Sequence, residues 1–163
     1  MPASPASAQS IETVPTVHFL VQTPLPPAAV LAALTDFSEL RAKLWPNIDQ
    51  QHYKLHAQGP GWAEVTEGNS VAGGIWERNR YEWDAAGGRL TIVTQESNTW
   101  APGSRWEYHL RPAASGGTSI DVTAVRNGHG LKGGLVGTAL SIFGTRKLRS
   151  DMEKVLAGVE HGR

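Results

Sequence analysis

Apolar residues recur along this chain with two different periods. Residues 14–22, VPTVHFLVQ, are rich in Val and in aromatic or aliphatic side chains and stop at PLPP, which predicts a strand. Pro26 and Pro27 suit the first turn of a helix, which AAVLAAL continues to about Thr35. In the DFSE that follows, Asp36 as N-cap and Glu39 three residues on form a capping box, predicting a second short helix through Leu40 and Leu44 until Pro46 stops it. From Gln51 the period shortens to two. HYKLHAQ, WAEVTEG, GIWERNRYEWD, RLTIVTQES, SRWEYHLRP and TSIDVTAVRN are six segments of about ten residues, separated by Gly, Pro or Asn, and they predict an antiparallel meander. DAAGGR and AASGGT supply hairpin loops, and WAPGSR a turn on Pro102 and Gly103. The chain closes with a proline-free segment from about Leu131 to Glu160, with Leu148, Met152, Val155, Leu156 and Val159 in helical spacing. Gly133, Gly134, Gly137 and Gly144 weaken its first half by up to about 1 kcal/mol each, which favours a kink or the close approach of another surface.

One strand, two short helices, six strands and a long helix make an α+β domain with a seven-stranded antiparallel sheet. Such a sheet has one solvated and one apolar face, and only the final helix is long enough to cover the latter. A curved sheet gripping one helix leaves space between them, where a ligand would sit.

Alternation sorts the side chains of that sheet. In residues 75–84, Trp76, Arg78, Arg80, Glu82 and Asp84 fall on a charged outer face, and Ile75, Glu77, Asn79, Tyr81 and Trp83 on an aromatic inner one. Trp106, Tyr108 and Leu110 point inward in the sixth strand, as do Ile120, Val122 and Ala124 in the seventh. Tyr53, Leu55 and Ala57 alternate against His52, Lys54 and His56. Glu77 and Asn79 interrupt the inner face. A buried carboxylate is costly unless paired, hydrated or protonated, so the two are polar groups in a cavity, or Glu77 meets an arginine at a strand end, or a bulge shifts the register.

Composition narrows the chemistry. At 163 residues a single domain buries about 70% of its unfolded surface. Fifteen basic and fifteen acidic residues give no global field for nucleic acid. Cysteine is absent, which excludes disulfides, thiol catalysis and Cys-based metal sites. The opening MPASPASAQS lacks the basic start and apolar run of a signal peptide, so residues 1–11 are expected to be a disordered tail on a cytoplasmic protein. The apolar stretch from Leu135 to Gly144 is far short of the roughly 20 residues needed to span a bilayer.

The motifs suggestive of catalysis lack their context. GHGLKG, residues 128–133, matches G-x-G-x-x-G, but only one helix follows, so no second strand brings the acidic residue a dinucleotide site needs. It reads as a flexible strand-to-helix joint at which Lys132 and free backbone N–H groups offer at most an anion site. His52 and His56 have zinc-protease spacing, yet on a strand they lie about 13 Å apart, and Tyr53 stands where the catalytic Glu would be. No G-x-S-x-G elbow occurs, and His18, His109 and His129 have no recognisable partners.

The element order, together with LTDFSELRAKLWPNIDQQHYKLHAQGPGWAEVTEG, GGIWERNRYEW, ESNTWAPGSRWEY and GHGLKGGLVG, resembles the SRPBCC superfamily and its polyketide cyclase/dehydrase-like proteins. Their helix-grip fold is shared with START lipid-transfer domains and the birch pollen allergen. The resemblance covers residues 12–160 and implies a cavity between sheet and C-terminal helix for a lipid, polyketide or isoprenoid-like molecule, with no cofactor and no metal. Tyr53, Asn79, Trp83, Trp106 and Tyr108 are the expected ligand-binding residues. The alternative it implies is a cofactor-independent cyclase or dehydratase, with Glu77 and Tyr81 as acid/base groups. The expected partner is a hydrophobic small molecule, without nucleic acid or a membrane span, bound to a monomer or homodimer. A third expectation is a protein-interaction role for the glycine-weakened helix half and a loop-borne Trp100.

Overall fold

Seven strands make one antiparallel sheet in this computed structural model, which describes residues 16–162. The expected tail over residues 1–11 and the expected domain start at residue 12 lie outside the described residues. The strands are β1 (Thr16–Thr23), β2 (Lys54–Gly59), β3 (Trp62–Asn69), β4 (Ile75–Asp84), β5 (Arg89–Ser97), β6 (Arg105–Pro112) and β7 (Thr118–Val125), in the order β1-β7-β6-β5-β4-β3-β2. The six-strand meander is as predicted. β1 lies along β7 from Thr16 opposite Val125 to Thr23 opposite Thr118, so β1 and β2, consecutive in sequence, form the two edges. Helices α1 (Pro27–Leu34) and α2 (Arg41–Leu44) carry the chain between those edges.

The long C-terminal helix comprises α3 (Gly130–Ala139), a π-helical segment (Leu140–Gly144) and α4 (Thr145–Glu160). Met152 and Leu156 of α4 pack into one core with Phe19, Val21, Ile120 and Val122 of the sheet. Burying a Val, Leu, Ile or Phe side chain stabilises by about 1.5–3 kcal/mol, so this shared core holds sheet and helix together. No helix among the described residues is long and apolar enough to cross a membrane.

Three local expectations are corrected. The capping box does not form: Asp36 accepts a hydrogen bond from the Ser38 N–H at 2.9 Å, and α2 starts only at Arg41, with Leu40 as N-cap. Side-chain donors meet the carbonyls of this turn instead: Arg41 Nη1 donates to those of Leu34 and Asp36, and the Tyr53 hydroxyl to that of Phe37. The second concerns HYKLHAQ, where His52 ends a 3₁₀ turn and the strand begins at Lys54. A bulge between Leu55 and Ala57 sets Ala57 opposite Glu64, on the outer face, so Ala57 is exposed instead of inward. The third is the final helix, which is not α-helical throughout but passes through a π segment at Leu140–Gly144. A Cβ on Gly144 would stand 2.6 Å from Leu140 Cδ1, so glycine is what lets that side chain fold over the wider turn.

Candidate ligand-binding site

Inner-face alternation holds through β4. Asn79 and Tyr81 are buried, and Glu77 is largely so. A bulge is present, but it lies in β5: Arg78 pairs with Glu96 and Asn79 with Thr94, leaving Gln95 as the extra residue and the phase of β4 unchanged. The outer face carries an ion-pair ladder. Arg78 and Arg80 both reach Glu64, and the Arg80 guanidinium stacks 4.1 Å from the Trp62 ring centroid.

Glu67 of β3 stands directly opposite Glu77 of β4. Two inward carboxylates at cross-strand distance repel unless each is neutralised. Two buried arginines, from elements on either side, neutralise them. Arg41 of α2 donates through Nε to Glu67 Oε1 and through Nη2 to the Tyr81 hydroxyl at 2.9 Å, while Tyr81 donates to Glu67 Oε2 at 2.6 Å. Arg126, just past β7, places Nη2 2.9 and 3.0 Å from the two oxygens of Glu77. Its guanidinium lies 4.4 Å from the Trp100 ring and 5.6 Å from that of Trp106. Thr94 donates to Glu77 at 2.8 Å. Burial pulls the Arg41 pKa down, but Glu67 and Tyr81 outweigh it and leave it raised. Burial is also the main reason why the Tyr81 and Tyr108 hydroxyls stand well above the ordinary phenol value.

Between this wall and α4 lies a cavity of about 90 Å³. Phe19, Ile92, Trp106, Tyr108 and Met152 give it apolar surface; Arg41, Glu67, Glu77, Asn79 and Asp151 give it a polar side. Asn79 is only 3% exposed, and its Oδ1 has no hydrogen-bond partner. Trp45 Nε1, also in the lining, is likewise buried and unpartnered. An acceptor and a donor thus stand unsatisfied in one cavity, where native proteins leave few such groups.

The structure brings Glu77, Asn79, Tyr81, Trp106 and Tyr108 together around this cavity and leaves two expected residues outside it. Tyr53 gives its hydroxyl to the Phe37 carbonyl at 2.6 Å, and Trp83 packs near the Phe37 ring at 6.1 Å. Trp100, expected on an accessible loop, is buried against Arg126 and bridges to Gly128. Lys132, at the GHGLKG joint, donates to the Gly74 carbonyl at 2.6 Å. His52 binds Asp49 at 2.5 Å, His56 binds Thr66 at 2.7 Å, and His18 finds a partner in Asp121 at 2.7 Å. Among the described residues no group of three His, Cys, Asp or Glu could hold a metal ion.

Sequence reasoning overlooked Arg41, Glu67, Arg126 and Asp151, three of which carried a signal. Alternation through Ile120, Val122 and Ala124 continues to Arg126, and Ala63 and Val65 lead to Glu67. Asp151 lies between Leu148 and Met152 on the helix stripe already identified. Arg41 carried no such mark.

By sequence, no protein-family model matches this chain and no curated protein matches it. By structure it is similar to a Thermus thermophilus protein, with TM-score 0.74 at 15% identity over 90% of this chain and 98% of that one. The Zhui aromatase/cyclase from Streptomyces sp. R1128 aligns with TM-score 0.74 at 16% identity, over 89% and 93% of the two chains. A START superfamily protein from Mycobacterium smegmatis aligns with TM-score 0.66 at 15% identity, over 90% and 97%. With its seven-stranded sheet closed on a long C-terminal helix, the chain has the helix-grip fold common to START superfamily proteins and aromatase/cyclases, the fold implied by its resemblance to SRPBCC polyketide cyclase-like proteins.

Proposed function

We propose that this protein binds a hydrophobic or aromatic small molecule carrying at least one hydroxyl or carbonyl group, in the cavity between the sheet and α4. The observation that carries this reading is the pair of unsatisfied polar atoms, Asn79 Oδ1 and Trp45 Nε1, in a cavity otherwise walled by aromatic and aliphatic side chains. A ligand hydroxyl can donate to Asn79 Oδ1, and a ligand hydroxyl or carbonyl oxygen can accept from Trp45 Nε1. Size decides the class further. An engineered cavity of about 150 Å³ binds benzene, and drug-sized ligands occupy about 300–1,000 Å³. At about 90 Å³ this cavity takes a ligand that size only if a wall yields, and Met152, unbranched and flexible, is the wall residue suited to do so.

Titration with 1-naphthol and with naphthalene, followed by tryptophan fluorescence, tests the reading. The phenol is expected to bind about tenfold more tightly, the worth of one well-made hydrogen bond, and Asn79→Leu to abolish the difference. Failure of both ligands, and of a fluorescent fatty acid, to bind the folded protein would rule the cavity out as a binding site.

A second reading, a cofactor-independent polyketide cyclase or dehydratase using Glu77 and Tyr81 as acid/base groups, is favoured by the place of both in the cavity lining. Against Glu77 as a base stands its engagement by Arg126 and Thr94, which occupies both carboxylate oxygens. Turnover of a poly-β-ketone substrate that drops at least about a hundredfold in Tyr81→Phe, while naphthol affinity holds, is the result this reading requires. Unchanged turnover in that variant removes Tyr81 from the chemistry.

A further inference from the structure

The first half of the C-terminal helix is built inside out. Its buried positions are glycines: a Cβ on Gly133 would stand 2.3 Å from the Thr99 carbonyl oxygen, and one on Gly137 would meet the Trp100 ring at 3.9 Å. Four of its large apolar side chains face water instead, with Leu131 86%, Leu135 68%, Ile142 66% and Phe143 72% exposed, while Leu140 packs against the core. Their spacing of four and seven residues, with Phe143 adjoining, makes one stripe along α3 and the π segment. Val71, 65% exposed, belongs to the neighbouring loop, which Lys132 ties to α3 through the Gly74 carbonyl. Contiguous exposed apolar surface of this kind marks an interaction site.

Charge identifies the occupant. Although the whole chain is neutral, no acidic residue occurs from Val122 to Ser150, while Lys132, Arg146, Lys147 and Arg149 all fall along the helix. Arg146 and Lys147 each follow an exposed apolar residue, Ile142 and Phe143, by four positions, so the cations flank the stripe. Lys147 and Arg149 also bridge to Asp151 and Glu153, whereas Arg146 is exposed and makes no ion pair among the described residues. A second copy would bring the same cations face to face across a two-fold axis. An anionic surface with an apolar interior matches both features.

We infer that the outer face of α3 and the π segment docks on anionic lipid bilayers, with Leu131, Leu135, Ile142 and Phe143 entering the headgroup boundary and the flanking cations meeting lipid phosphates. The contact is peripheral and independent of the cavity.

Co-sedimentation with vesicles tests it. The wild-type chain is expected to partition at least about tenfold more strongly onto equimolar phosphatidylcholine and phosphatidylglycerol than onto phosphatidylcholine alone. Salt at about 1 M, where the screening length falls to about 3 Å, should remove that preference. The double variant Leu135→Gln/Phe143→Gln, which keeps good helix formers on exposed positions, should lose binding about tenfold or more at unchanged circular dichroism. Arg146→Glu should lower only the anionic preference. Folded wild-type protein that ignores both vesicle types overturns the inference, as does a double variant that binds as well as wild type. A concentration-dependent dimer abolished by the double variant, without vesicle binding, would assign the face to a second copy.

Discussion

Arg41 and Glu67 are both buried, and their removal from water is offset only because each has several partners. Breaking such a pair from one side leaves an uncompensated charge, which typically costs about 3–5 kcal/mol. Glu67→Leu and Arg41→Met are therefore each expected to destabilise by about 3 kcal/mol in urea melts. The double variant should fall short of the sum by at least about 2 kcal/mol. Strict additivity would mean that the two residues act separately. Legibility at this scale was uneven. Glu77 and Asn79 were visible as polar breaks in an apolar face, and Glu67 and Arg126 could be found by extending the same alternation by a residue or two. The pairing itself was not legible, because Arg41 reaches Glu67 across 26 residues and Arg126 reaches Glu77 across 49.

Elements show where local preference yields to neighbours. The period-two pattern placed all six meander strands, but Ala57 changed faces at a bulge that no local signal in HYKLHAQ announced. In place of the capping box Asp36 accepts from the Ser38 N–H, and Arg41 and Tyr53 donate to the Leu34, Asp36 and Phe37 carbonyls, a tertiary arrangement that DFSE alone does not encode. In the final helix, glycines that lower propensity equally differ in what surrounds them. Gly133 faces the Thr99 and Gly128 backbone, whereas a Cβ on Gly134 meets nothing within 4 Å. Gly133→Ala should destabilise by about 1–3 kcal/mol through overpacking, and Gly134→Ala should stabilise by about 0.5–1 kcal/mol through helix propensity. Thermal melts of the two variants check this, and shifts in the same direction would mean that the contact of α3 with the Trp100 loop does not constrain the helix.

On the scale of the whole molecule, the ionisable groups set a pH window for stability. Hydrogen bonds from His52 and Arg78 are the main cause of the lowered pKa values of Asp49 and Glu64, from ordinary values of 3.8 and 4.5. A lowered acid contributes stability that is present above its ordinary value and lost as pH falls through its folded one, so both contributions fade below about pH 4. At the alkaline edge all three tyrosines act together. Burial pushes Tyr53 from 10.0 up to about 12 and holds Tyr81 and Tyr108 above their ordinary value as well. Their contribution is complete below pH 10 and is lost above it, because the unfolded chain releases phenol protons that the folded one retains. Thermal midpoints should therefore form a plateau between about pH 5 and 9.5 and fall on both sides. Tyrosinate absorbance should rise with unfolding at high pH, and a gradual rise near pH 10 in folded protein would contradict the burial of these rings.

Periodicity by itself determined the strand count, the apolar stripe of the last helix and the inward faces of β4, β6 and β7, because alternation and helical spacing are local consequences of where side chains meet water. The tertiary structure alone decided that β1 lies beside β7, that two buried arginines answer two adjacent carboxylates, and that Tyr53 and Trp83 stand outside the cavity while Trp45 and Asp151 line it. Those outcomes depend on contacts between residues far apart in the chain, which no local pattern encodes. They depend also on how the helix seats on its neighbours, which turned Gly133 and Gly137 inward and Leu131 and Leu135 toward solvent.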